Sequence, residues 1–112
     1  MKKLLFLAIL MVAALAACSW EEMKDYPCPQ GGTTLTYDNF GKGFMTTYCV
    51  RCHGGPNGYS SRAFTDVDLV RANAADIFRN AARDNVTMPP GPDDPPKDER
   101  YKLGEWLSCG AP

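Results

Sequence analysis

The sequence predicts an all-α domain of three to four helices, and three observations carry that expectation. Apolar residues recur at helical spacing in three stretches: Phe40, Phe44 and Tyr48; then Ile77, Phe78, Ala81 and Ala82; then Leu103, Trp106 and Leu107. Residues suited to starting a helix precede each stretch. Between the stretches the chain is dense in turn-forming residues, with 10 Gly and 9 Pro among 112 residues, which interrupt regular structure. A chain of this length makes at most one small domain.

At the start of the chain, Lys2 and Lys3 precede an unbroken apolar run over residues 4–17. That run is too short to span a bilayer and has the length of a signal-peptide core. It ends in Leu15-Ala16-Ala17-Cys18, which resembles the lipobox of bacterial lipoproteins. Small side chains let the extended chain enter a peptidase site, and the Cys18 thiol is the atom that would receive diacylglycerol. An ordinary secretory signal with a chance cysteine is the alternative. The resemblance implies removal of residues 1–17, a lipid anchor at Cys18 and a location on the periplasmic side of a bacterial membrane. By the same resemblance, Ser19 after the cysteine implies the outer membrane rather than the inner one. Several acyl chains would hold such a protein stably, at roughly 0.8 kcal/mol per buried CH₂.

Residues 18–35 show no apolar period and contain Pro27, Pro29 and Gly31-Gly32, so they are expected to be a lipidated N-terminus and tether, ahead of a domain over residues 36–112. Thr36 or Asp38 can cap the first helix. Its aromatic face, Phe40, Phe44 and Tyr48, points to the core and runs into Cys49. Turn chemistry fills residues 54–62, and a short helix is expected from about Asp66 to Arg71. Asn73 has the look of an N-cap, with Asp76 three residues on, for the helix carrying Ile77, Phe78, Ala81 and Ala82. Residues 85–92, with Pro89, Pro90 and Pro92, can form neither helix nor central strand and are expected to be a stiff extended loop. The last helix should start near Pro96, place Asp98 and Glu99 in its first turn and stop at Gly110.

Lys and Arg number 12 against 13 Asp and Glu, a balance that gives no reason to expect a nucleic-acid partner. More telling, residues 18–112 hold only 13 Leu, Ile, Val and Phe against 19 Gly and Pro. Such a chain lacks the aliphatic volume of an ordinary core, yet its net charge is too small for a disordered tail. Something besides side chains is expected to fill the interior.

The cysteines suggest what that is. Five cysteines in an exported protein leave one odd, and lipidation accounts for Cys18. Cys49 and Cys52 stand in Cys-Val-Arg-Cys-His, residues 49–53, the attachment motif of a c-type haem. Two thiols three residues apart on a helical turn reach the two vinyl groups along one porphyrin edge, and the next residue, His53, can place its imidazole over the iron. A redox dithiol is one alternative, although it would be expected within a strand–helix unit. A zinc site built from Cys28, Cys49, Cys52 and Cys109 is another, giving a structural lipoprotein. Cys28 and Cys109 otherwise form an even pair suited to a disulfide, with two free thiols as the alternative.

His53 is the only histidine, so a bis-histidine haem within this chain is excluded by count. The second axial ligand must be methionine, lysine, water or nothing. Met23 lies in the tether and Met45 on the helix that already carries the proximal side, where packing is its simpler role. Met88 lies in the proline loop, where no amphipathic face would bury it; filling a core gap is its alternative role.

With these residues in place, the chain resembles the class I, mono-haem cytochrome c family over about residues 36–109. The resemblance rests on a helix containing Gly41 ahead of Cys-x-x-Cys-His, a Met-Pro pair in a downstream loop, and a terminal helix with Leu103-x-x-Trp106-Leu107. It implies a small all-α fold wrapped around one covalently attached haem c, in which Gly41 and Trp106 meet where the first and last helices cross. It implies cofactor-binding residues Cys49, Cys52, His53 and Met88, with His53 and Met88 on the iron. Iron with both positions filled transfers electrons and leaves no open site for substrate, so electron transfer between redox partner proteins is expected, not an enzyme. A sensor or small-ligand-binding haem lipoprotein, in which Met88 is displaced, is the other haem-based expectation. Tyr59, Arg62 and Arg83 are candidate propionate partners, with an ordinary surface position as the simpler role of each. The proline whose carbonyl orients the proximal histidine in that family has no obvious counterpart here, Pro56 standing too close to His53, so the partner of the histidine is left unassigned.

Overall fold

The computed structural model describes residues 19–55, 62–92 and 94–112. The expected signal peptide over residues 1–17, the lipidation site Cys18, and Pro56, Tyr59 and Asp93 lie outside the described residues. Every regular element among the described residues is helical, in agreement with the all-α expectation. No helix among them is long and apolar enough to cross a membrane.

Thr36 starts the domain with a reciprocal cap: its hydroxyl accepts from Asn39 N–H (3.1 Å), and its own N–H donates to the Asn39 side chain (2.7 Å). A π-helical turn, Tyr37–Gly41, then leads into α1 (Lys42–Tyr48). The rings of Phe40, Phe44 and Tyr48 follow one another along one face, tilted against each other at 5.6 and 5.0 Å between centroids. Cys49 is the joint to a single turn, α2 (Val50–His53). Asp66 caps α3 (Val67–Ala72) by accepting from Asp68 N–H at 2.8 Å. After α4 (Ala74–Ala81) the chain runs through the proline loop to α5 (Lys97–Ser108). Gly110, with φ of 86°, supplies the left-handed turn that ends the last helix.

Asn73 departs from its expected role. It occupies the N-cap position of α4 but makes no side-chain cap there. Its side-chain amide donates instead to the Leu69 carbonyl at 2.8 Å, which also accepts from the Asn73 backbone N–H at 3.1 Å, so Asn73 closes the end of α3 where α4 begins directly after it.

The core is aromatic and small-residue in character. Phe44, Met45, Val70, Phe78, Leu103, Trp106 and Leu107 are buried, and α4 lies against α5. The first and last helical segments meet at Gly41, where an added Cβ would overlap the Trp106 indole. The Trp106 N–H donates to the Pro112 carbonyl at 3.2 Å, so the buried indole keeps a polar partner.

The stretch offered by the sequence as a tether is held against the helices over residues 21–28. Glu21 N–H donates to the Asn85 side-chain oxygen (3.1 Å), and Asn85 donates back to the Glu21 carbonyl (2.8 Å). Tyr26 stacks on Phe78 at 5.9 Å. Cys28 and Cys109 are joined in a disulfide, which fixes this segment to the end of α5. Polar contacts of high sequence separation and one covalent bond do here what an apolar stripe does elsewhere. Glu21 is accordingly not a free surface carboxylate: it pairs with Arg83 at 3.4 Å and accepts from Asp84 N–H at 3.1 Å.

Candidate functional site

The last turn of α1, the α2 turn, α4 and the proline loop surround a half-open cavity of about 280 Å³. Cys49, Cys52 and His53 line one wall, Ile77 and Ala81 come from α4, and Met88, Pro89 and Pro90 come from the loop. The lining is mostly apolar, and the volume is near the lower end of the range for cofactor pockets, about 300 Å³. Four residues that the sequence singles out, spread over 40 positions of the chain, thus face one space.

The α2 turn places its side chains through backbone bonds. The Cys49 carbonyl accepts from Cys52 N–H (3.2 Å) and His53 N–H (2.9 Å), so both thiols and the imidazole leave from one helical turn. Cys49 and Cys52 are not disulfide-bonded. Cys49 is half-buried, and that burial pushes its thiol up to about 12. It is therefore a neutral thiol at physiological pH. The His53 ring lies nearly parallel to Phe64, 4.8 Å away with planes 18° apart, and Phe64 N–H donates to the His53 carbonyl at 2.7 Å. Phe64 thus braces both the ring and the backbone of the histidine.

Met88 is 43% exposed but its backbone is fixed. Its N–H donates to the Asn80 carbonyl at 2.8 Å, and its carbonyl accepts from Arg100 at 2.8 Å. Arg100 is the residue that sequence reasoning missed. Only 3% exposed, its Nη1 donates to the carbonyls of Ala81 (2.8 Å), Asn85 (3.1 Å) and Met88, tying the end of α4 to the loop that bears the methionine. Burial lowers the pKa of its guanidinium and the nearby Asp94 carboxylate, 3.8 Å away, raises it. An arginine remains charged at neutral pH regardless.

Arg62 lines the cavity and pairs with Asp76 at 3.6 Å. Arg83 does not line it, so of its two sequence readings the propionate partner is not the one its position favours. Its guanidinium lies over the Tyr26 ring at 3.7 Å and near the Tyr101 ring at 4.5 Å, with Glu21 as its ion-pair partner. A residue with φ of 56° at the end of α4 aims its side chain away from the cavity and towards the N-terminal segment. Arg51, an unremarked neighbour in sequence, lines the cavity beside Cys52.

The donor set tests the zinc alternative. With Cys28 bonded to Cys109, a four-cysteine site cannot form, and no group of three or more His, Cys, Asp or Glu is gathered among the described residues. The residues around the cavity suit another group. Two thiols on one turn, an imidazole beside them, a thioether on a fixed loop and apolar walls match the needs of a flat, covalently held haem.

No family model matches this chain, and neither does any curated protein or any solved structure.

Proposed function

We propose that this protein is a membrane-anchored periplasmic electron-transfer lipoprotein of cytochrome c type, carrying one haem c with His53 and Met88 as axial ligands. The observation that carries the reading is the convergence of Cys49, Cys52, His53 and Met88 on one mostly apolar cavity. When bound, the haem would be held by His53 and Met88 and would supply a one-electron ferric/ferrous couple, which a methionine donor in place of a second nitrogen would shift towards the ferrous state.

The chain's own residues supply attachment, orientation and exclusion of water. Cys49 and Cys52 are the covalent anchors, which prevent loss of haem outside the cytoplasm. Phe64 restrains His53, while Asn80 and Arg100 restrain the backbone of Met88, so both segments that would hold the haem are fixed by the protein itself. Ile77, Ala81, Pro89 and Pro90 present apolar surface, which keeps solvent from reorganising around that charge. Arg62, at the cavity and half-exposed, supports a role as propionate partner.

Visible spectroscopy of the purified holoprotein tests the reading. A sharp reduced spectrum with a weak methionine-to-iron band in the red is expected. Ready binding of carbon monoxide without that band would favour a small-ligand sensor instead, and a colourless protein would overturn both.

A further inference from the structure

The exposed large apolar residues among those described are Trp20, Val86 and Met88, with Trp20 at 66% and Val86 at 67% exposure. Met88 belongs to the cavity. Trp20 and Val86 are each one residue from a single junction, the two-way hydrogen bonding between Glu21 and Asn85. That junction is firm. The Glu21 carboxylate accepts from Tyr26 (2.6 Å) and from Asp84 N–H (3.1 Å) and pairs with Arg83 (3.4 Å), and Asn85 is buried and also donates to the Phe78 carbonyl at 3.1 Å. Two distant parts of the chain thereby each bring an exposed apolar residue next to the same junction.

The position of the expected lipid anchor says what that surface meets. Only Ser19 and Trp20 separate Cys18 from Glu21. A chain spans at most about 3.6 Å per residue, so the Glu21 junction can stand no more than roughly 11 Å from the acylated cysteine. The headgroup layer on each side of a bilayer is itself roughly 5–7 Å deep. A domain pinned at Glu21 therefore cannot hang away from the membrane on a leash. Trp20 falls at the depth where tryptophan is enriched in membrane proteins, at the boundary of headgroups and acyl chains.

We infer that the face carrying Trp20 and Val86 is a lipid-contact surface, which seats the domain on the bilayer in one orientation. The inference rests on Cys18 being lipidated, as proposed above. Because Val86 and Met88 share the proline loop, the seated face adjoins the loop that bears the expected distal ligand.

The test uses the full lipidated holoprotein in vesicles of phosphatidylethanolamine and phosphatidylglycerol containing a phospholipid with a diazirine near its glycerol. After photolysis and trypsin digestion, lipid adducts are mapped by mass. Adducts are expected on the peptide of residues 84–97, which holds Val86 and lies far from the anchor in sequence, as well as on residues 18–24. A Trp20→Ser/Val86→Ser variant should lose the adducts on residues 84–97 while retaining its acyl chains. Adducts confined to residues 18–24, spread evenly over the peptides, or unchanged in the double variant would overturn the inference while leaving the anchor intact. A protein whose intact mass lacks acyl chains at Cys18 overturns the anchoring and the seating together.

Discussion

Gly41 lies against the indole of Trp106 so closely that a Cβ at residue 41 would overlap the benzenoid edge of the ring. Trp106 is fully buried, and Phe40 meets it edge-on at 6.0 Å, so the indole has no direction in which to yield. Gly41→Ala should therefore destabilise the protein by about 1–3 kcal/mol, the range for overpacking a filled core, even though alanine is the better helix former. A urea midpoint that rises in the variant would show that the crossing has slack.

Arg100 holds three backbone carbonyls through one nitrogen. Truncation in Arg100→Ala leaves the carbonyls of Ala81, Asn85 and Met88 without that donor and should cost about 3 kcal/mol or more. Arg100→Lys keeps the charge but places it on a compact ammonium, without the planar fork of a guanidinium, and should recover only part of the loss. Denaturant unfolding of both variants, followed by circular dichroism, measures the two steps.

Replacing Met88 by alanine removes the proposed distal ligand without disturbing the two backbone bonds that fix residue 88. The reduction potential should fall and the iron should become open to carbon monoxide. An unchanged potential together with an unchanged red band would refute the assignment of Met88.

The two pairs of sulfurs should answer reductant differently. Breaking Cys28–Cys109 opens a loop with a sequence separation of 81, which in the chain-entropy model is worth up to about 4.5 kcal/mol. Dithiothreitol, or Cys28→Ser/Cys109→Ser, should lower the thermal midpoint markedly while the haem colour stays with the chain, because thioether bonds are not reduced. Loss of colour along with stability would count against covalent attachment.

Asp84 gives a sign for the acid response. The Tyr101 hydroxyl (2.8 Å) and then the Lys97 ammonium (3.0 Å) hold its carboxyl below the usual carboxylate range. A carboxyl depressed in the folded state stabilises it above the unfolded pKa, and that contribution disappears as pH falls through the folded value, below about pH 4. Asp84→Asn should flatten this part of the acid limb, read from urea midpoints at about pH 6 and about pH 3. The same slope in both proteins would rule Asp84 out as a contributor.

Much of the fold is legible because helices announce themselves through repeated apolar residues. Phe40, Phe44 and Tyr48, or Leu103, Trp106 and Leu107, specify both an element and its buried face. The cysteine count likewise points to the Cys28–Cys109 bond, and the Cys-x-x-Cys-His spacing locates one wall of the cavity. What the sequence hides is held by single contacts. Glu21 and Asn85 meet across 64 positions through the Asn85 side-chain amide and the Glu21 backbone N–H and carbonyl, a pairing with no periodicity to detect. Phe64 follows a turn-rich stretch and has no helical partner to mark it as buried. Arg100 offers one clue: it stands at positions i, i+3, i+4 and i+7 with Leu103, Gly104 and Leu107, on the face of α5 that is buried throughout. A charged residue on an apolar stripe needs a cluster of acceptors, and the nearest unpaired carbonyls are those at the end of α4 and in a loop too rich in proline to pair with itself.

The Cys28–Cys109 bond also governs how the molecule bears a load. Tension applied from the N-terminal side must first strip Glu21 from Asn85 and Arg83, and it then arrives at Cys28, where the force passes straight across to the end of the last helix. Unravelling from that side halts at the clasp. The helices and loop that frame the cavity all lie within the closed covalent ring beyond it, so a domain pulled from its N-terminal side can shed its first few residues and still keep its four converging side chains in register.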